Sequence, residues 1–200
     1  MKKRLLLAVV VLTGMFLLTA SIVWAAAPAP VAKTGQTTSY RTGDDGDLQK
    51  GVDTAWWPRF KDNSDGTVTD NLTGLMWAKD ASLGGTKNWV DALAYANNLS
   101  LGNEGCGSNY TDWRLPNINE LKSLVAASNN YPPLPSGHPF TNVQSSNYWS
   151  STSYAYWNFY LPSTWGSTAC IVDMGEGDVN VFSMKDISGY SYIWPVRSDN

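Results

Sequence analysis

The chain opens on an apolar run, passes through a stretch with no hydrophobic period, and then breaks into short amphipathic segments. Leu5 to Leu18 is almost wholly apolar and follows Lys2, Lys3 and Arg4. Residues 26–38, AAPAPVAKTGQTT, show no periodicity and read as a flexible linker. From Arg59 to Trp77 the pattern predicts an antiparallel meander, with turns at Asp65-Gly66 and Asn71-Leu72-Thr73-Gly74 and strands at Thr67–Thr69 and Leu75–Trp77. A helix is predicted after Gly84-Gly85. Asn88 caps it, Asp91 occupies the third position, and Trp89, Ala92, Leu93, Ala96 and Leu99 form its buried stripe. Gly102 is placed to end that helix.

A second helix is predicted over 117–127. Asn117 is its N-cap, Glu120 reaches back in a capping box, and Ile118, Leu121, Leu124 and Val125 share one face. From Tyr148 the pattern turns strand-like, over Tyr148-Trp149, Tyr154–Leu161, Ala169–Met174, Val179–Met184 and Tyr190–Val196. Turns fall at Gly175–Gly177 and Ser188-Gly189. The order of elements is that of an α+β domain.

The ends set the compartment. A basic flank, an apolar run and Val23-x-Ala25 read as a secretory signal peptide over residues 1–25, the alternative being an uncleaved membrane anchor. Residues 39–198 are then a single exported domain, since about 160 residues suit one core. Formal charge is −3, from 14 basic and 17 acidic residues. Removing Lys2, Lys3 and Arg4 leaves 11 basic against 17 acidic, near −6. An acidic domain without a basic cluster argues against nucleic acid and against anionic polysaccharide as partners. Two cysteines in an exported chain predict one disulfide, Cys106–Cys170, closing a long loop and contributing about 4 kcal/mol. The alternatives are two free thiols or a redox pair, for which no C-x-x-C spacing is present.

Four stretches carry a family likeness: DNSDGTVTDNLTGLMWAKD at 62–80, DWRLPNINELKSLV at 112–125, LPSGHPFTNVQSSNYWSST at 134–152 and YSYIWPVR at 190–197. Together they resemble the family built on the C-terminal domain of bacterial collagen-like adhesins, the Lcl C-terminal domain. The likeness runs from about Thr34 to Arg197, and no Gly-X-Y stalk accompanies it. The resemblance implies a C-type lectin-like fold, with two helices packed on a twisted antiparallel sheet with long loops. It also implies a bacterial protein that is secreted, periplasmic or on the cell envelope. In the family Cys-Gly is frequent at the position of Cys106, whereas Cys170 departs from its usual aromatic residue.

Candidate chemistry is sparse. Gly43-Asp44-Asp45-Gly46-Asp47 and the 62–70 run gather oxygen donors that suit Ca²⁺, but neither has EF-hand spacing, and both read first as turns built by Asp and Asn on their own backbone. The calcium signatures of C-type lectins are absent from the sequence, so no cofactor and no metal ligand is assigned. His138, the sole histidine, reads as a residue of a Pro/Gly-shaped loop, and Asp173, Glu176 and Asp178 as solvated turn acids. No catalytic residue is assigned, and the chain reads as a non-enzyme. Binding is the class that survives. If Tyr154–Leu161 is one strand, Tyr154, Tyr156, Asn158 and Tyr160 share a face, and with Trp165 they form an aromatic-plus-amide row suited to a glycan or an envelope protein. The alternative is an assembly component whose aromatic face joins subunits in a homo-oligomer. A hydrolase using His138 or the acidic turn is the weakest of the three.

Overall fold

The computed structural model describes residues 31–52, 58–105, 107–153, 168–178, 181–185 and 190–198. Within them the chain is mostly sheet with short helices, an α+β architecture. The order is α1 (Asp45–Leu48), β1 (Phe60–Asp62), β2 (Thr67–Asp70), β3 (Leu75–Ala78), β4 (Thr86–Lys87), α2 (Trp89–Asn97), β5 (Leu101–Gly105), β6 (Ser108–Tyr110), α3 (Ile118–Lys122), β7 (Asn147–Ser153), β8 (Thr168–Asp173), β9 (Val181–Met184), β10 (Ser191–Tyr192) and β11 (Val196–Ser198).

The expected single antiparallel sheet is instead two sheets and a separate hairpin. The first sheet runs β1-β2-β3-β11, the second β4-β10-β7-β8-β9, and β5 pairs β6. One pairing, β10 with β7 at Tyr192↔Tyr148, is parallel. The C-terminal strand returns to the meander, with Val196 opposite Trp77.

Period-two alternation in the second sheet separates two cores. Tyr148, Val172, Tyr192 and Trp194 join the larger one, with Trp77, Phe140, Leu121 and Leu124. Trp149, Ala169, Ile171 and Ile193 face the smaller one beneath α2. In the larger core Trp194 meets Phe140 edge-on at 4.9 Å and Trp77 at 5.9 Å, the geometry aromatic quadrupoles prefer. Its indole N–H donates to Ala78 C=O at 2.9 Å. Burial pushes the Tyr148 phenol up, while its hydroxyl accepts from Gln144 N–H at 2.8 Å.

The local signals largely hold, with corrections to the second helix, to Gly102 and to the strand expected over Tyr190–Val196, which is split between β10 and β11 of different sheets. The capping box is present: Asn117 Oδ1 accepts from Glu120 N–H at 2.9 Å, and Glu120 Oε2 from Asn117 N–H at 2.8 Å. The helix it starts is shorter than the predicted 117–127, because Leu124 and Val125 N–H bond three residues back and Ala126 N–H turns to Pro133 C=O. Asn88 caps α2 as predicted, and Ala92 and Ala96 are fully buried. Gly102 does not end α2; Asn98 is the C-cap. Gly102 sits at φ +87° in β5, where a Cβ would stand 2.8 Å from Thr67 and Tyr110 side chains, so it lets the hairpin cross close to β2.

A buried ion pair locks the meander to α3. The Arg59 guanidinium grips the Asp70 carboxylate, Nη2 to Oδ2 at 2.8 Å, and also donates to Ser123 C=O at 2.8 Å. Exposure is 6% and 0%, so both charges depend on each other for compensation. Residues 31–36, within the expected linker, run beside the domain: Val52 N–H donates to Val31 C=O at 2.8 Å, and Ala32 bridges Val52.

Candidate functional site

The family-like motifs prove to be contacts with one another. Trp113 is buried, with its indole donating to Leu101 C=O at 3.2 Å. Arg114 exchanges backbone bonds with Val196, each 2.9 Å, and forks onto both Glu120 oxygens at 2.8 Å. Pro116 C=O accepts from Ser151 N–H at 2.7 Å, and Ile118 N–H donates to Thr152 Oγ1 at 3.0 Å. WRLPN therefore docks onto YWSST, and YSYIWPVR closes the other side. Burial raises the Glu120 carboxyl, but the Arg114 hydrogen bonds, the Asn117 N–H and the Arg114 charge outweigh it and leave the group below the ordinary glutamate value.

The residues named for recognition, Tyr154, Tyr156, Asn158, Tyr160 and Trp165, lie outside the described residues. The strands that flank them, β7 and β8, meet at Ser153↔Ala169. Beside that end Lys185 Nζ donates to Ser153 Oγ at 2.6 Å and stands 4.1 Å over the Trp89 ring. Cys170 carries a free thiol, so the expected bridge to Cys106 is not made in this structure. Cys106 itself lies outside the described residues. Cys170 sits in the second sheet, while the β5–β6 hairpin around position 106 is tied to the first through Asn103 N–H on Asp65 Oδ2 at 2.9 Å. Burial pushes the Cys170 thiol up.

The other candidates are engaged locally. The Asp44 carboxylate accepts from Tyr40, Arg41 and Asp47 N–H, and these bonds hold it below the ordinary aspartate value. Asp65 accepts from Thr67 N–H at 3.0 Å and Asp62 pairs Lys79 at 2.6 Å. Among the described residues no three His, Cys, Asp or Glu side chains are grouped to hold a metal ion. The His138 ring leans on Phe140 at 5.9 Å, its buried Nδ1 has no partner among the described residues, and burial lowers its pKa. Asp173 Oδ1 accepts from Gly175 N–H at 2.7 Å, and Glu176 Oε1 from the Tyr131 hydroxyl at 3.0 Å.

A ligand-sized concavity of about 600 Å³ lies between one face of α2 and the edge strand β4. Asp91, Ala94, Tyr95 and Asn98 follow helical spacing along one wall, with Thr86, Lys87 and Tyr190 opposite. Tyr190 is 59% exposed at the rim. Lys87 Nζ lies 5.3 Å from the Tyr95 ring centroid, a cation–π arrangement that turns the ammonium onto the aromatic face. Burial, with a smaller contribution from the Asp80 charge, raises the Tyr95 phenol. Gly84 packs under this ring: a Cβ there would stand 2.7 Å from Tyr95 Cε1.

Asp91 Oδ2 accepts from Asn88 Nδ2 at 2.7 Å and Asn98 Nδ2 donates to Ala94 C=O at 2.8 Å, which leaves acceptor capacity on both side chains. Sequence reading placed Asp91 and Tyr95 in the helix but missed the groove. The signal on α2 was the spacing Asp91, Ala94, Tyr95, Asn98, a polar and aromatic flank beside the buried Ala92. Nothing local could bring Tyr190 to it.

A family model described as the Lcl C-terminal domain matches residues 66–197. No curated protein and no solved structure matches the chain. Among the described residues no helix is long and apolar enough to cross a membrane.

Proposed function

The chain belongs to the Lcl C-terminal domain family, and from that premise we propose that it is an exported, non-catalytic binding or adhesion module of the cell envelope. In this reading residues 1–25 are a signal peptide and 39–198 a single domain with a C-type lectin-like arrangement. Its partner is a glycan or an envelope protein. The observation that carries the reading is the division of labour among the side chains: the motifs at 112–125, 147–152 and 191–197 hold the fold together, while the α2–β4 groove exposes Tyr190 and the polar side chains of Asp91 and Asn98 beside a Tyr95 that packs on the smaller core. The aromatic row Tyr154, Tyr156, Asn158, Tyr160 and Trp165 is proposed as a second recognition element.

Immobilised mature protein probed against a glycan array and against cell-envelope proteins, with and without Ca²⁺, tests the reading. Saturable binding to either class supports it. A hydrolytic activity abolished by His138→Ala with the fold preserved would replace it with an enzyme. Conversion of an oligomer to a monomer by Tyr156→Ala/Tyr160→Ala, with no effect on ligand binding, would assign the aromatic row to assembly.

A further inference from the structure

We propose that the α2–β4 groove is a saccharide site selective for uncharged sugars, an inference that rests on the binding-module reading and names its ligand and place. Sugar rings present an apolar C–H face and a rim of hydroxyls. Their recognition needs an exposed aromatic surface with planar acceptors near it. Tyr190 supplies that surface at the rim, 59% exposed, and the half-buried Tyr95, with Lys87 over its ring and Gly84 against its edge, forms the wall beside it. Asp91 and Asn98 lie two helical turns apart on the same wall, each with an acceptor beyond its intramolecular bond.

Charge argues for an uncharged ligand. Among the described residues the groove is lined by one ammonium, Lys87, and one carboxylate, Asp91, and the ammonium is turned onto the Tyr95 ring. An acidic chain around a groove without a cationic cluster repels sulfated or carboxylated polymers. Added-strand peptide binding fits poorly, because β4 has only two residues and Lys87 C=O already accepts from the Trp149 indole at 2.8 Å.

The test uses the mature chain in calorimetric titration and array binding, with neutral oligosaccharides of hexose and N-acetylhexosamine set against sulfated and uronate-containing ones. Neutral sugars are expected to bind with little salt dependence. Tyr190→Ala and Asp91→Asn should each weaken them about tenfold, with thermal unfolding nearly unchanged. Gly84→Ala, which pushes on Tyr95, should weaken binding in the same direction. Neutral-sugar binding untouched by the two groove variants but lost in Tyr156→Ala/Tyr160→Ala overturns the groove and keeps the module. A preference for sulfated chains that falls steeply with salt overturns the uncharged-ligand inference. Binding only to an envelope protein also overturns it while leaving the module intact. If the wild type binds neither sugar nor envelope protein, the module reading itself falls.

Discussion

The two faces of the second sheet are built differently. On one, Tyr148, Val172 and Tyr192 meet the first sheet and α3 through Trp77, Trp194 and Phe140, an interlocked aromatic core. On the other, Trp149, Ile171 and Ile193 meet Leu115 and α2, whose small Ala92 and Ala96 allow close approach. Aromatic rings stacked between two layers leave no room for a ligand. One helix over a sheet edge leaves a groove along its flank. The density of motif residues therefore marks the face that holds the fold, and recognition is sought on the thinner side.

The largest expected losses of stability lie in the larger core. Trp194→Ala should lower stability by about 3–5 kcal/mol, since it empties a fully buried ring site and leaves Ala78 C=O without its indole donor. Asp70→Asn should cost a similar amount, about 3–5 kcal/mol, by leaving the buried Arg59 guanidinium uncompensated. Denaturant unfolding measures both, and a loss below about 1 kcal/mol in either would contradict the assigned role. On the α2 side Tyr190→Ala should change stability by no more than about 0.5 kcal/mol while reducing binding. Equal loss of stability on both faces would erase the distinction.

Smaller effects are expected at the cap and the ion pair of α3. Asn117→Ala removes the acceptor for two N–H groups of α3 and should cost about 1 kcal/mol in the same unfolding assay. Glu120 gives a pH signature. Its folded pKa lies below the ordinary value of 4.5, so its contribution is fully present above that value and is lost as pH falls through the folded pKa. Glu120→Gln should flatten this part of the acid limb of a melting-temperature profile; an unchanged limb would show that the Arg114 fork adds nothing. Cys170 should have no stability signature. Half-buried and with a raised pKa, it should alkylate slowly in the native protein and fully after unfolding without reductant. No uptake even after unfolding would mean that the bridge to Cys106 forms after all.

Much of the local structure was legible in the residues. Asp65-Gly66 and Asn71–Gly74 turn the meander, Asn88 and Asn117 start the helices, and Glu120 closes its capping box, because each of these features is an interaction over three or four residues that residue type specifies. The alternation Tyr148/Trp149 and Tyr192/Ile193 likewise determined which side chains part to opposite faces. Tertiary structure decided the rest. The split into two sheets, the parallel β10–β7 pairing and the arrival of Tyr190 opposite Tyr95 all depend on segments distant in the chain. Periodicity states which face a side chain takes but carries no information on which strand lies beside it. That choice comes from joint burial of the aromatic core and from backbone groups finding partners, and the groove is what those long-range choices left open.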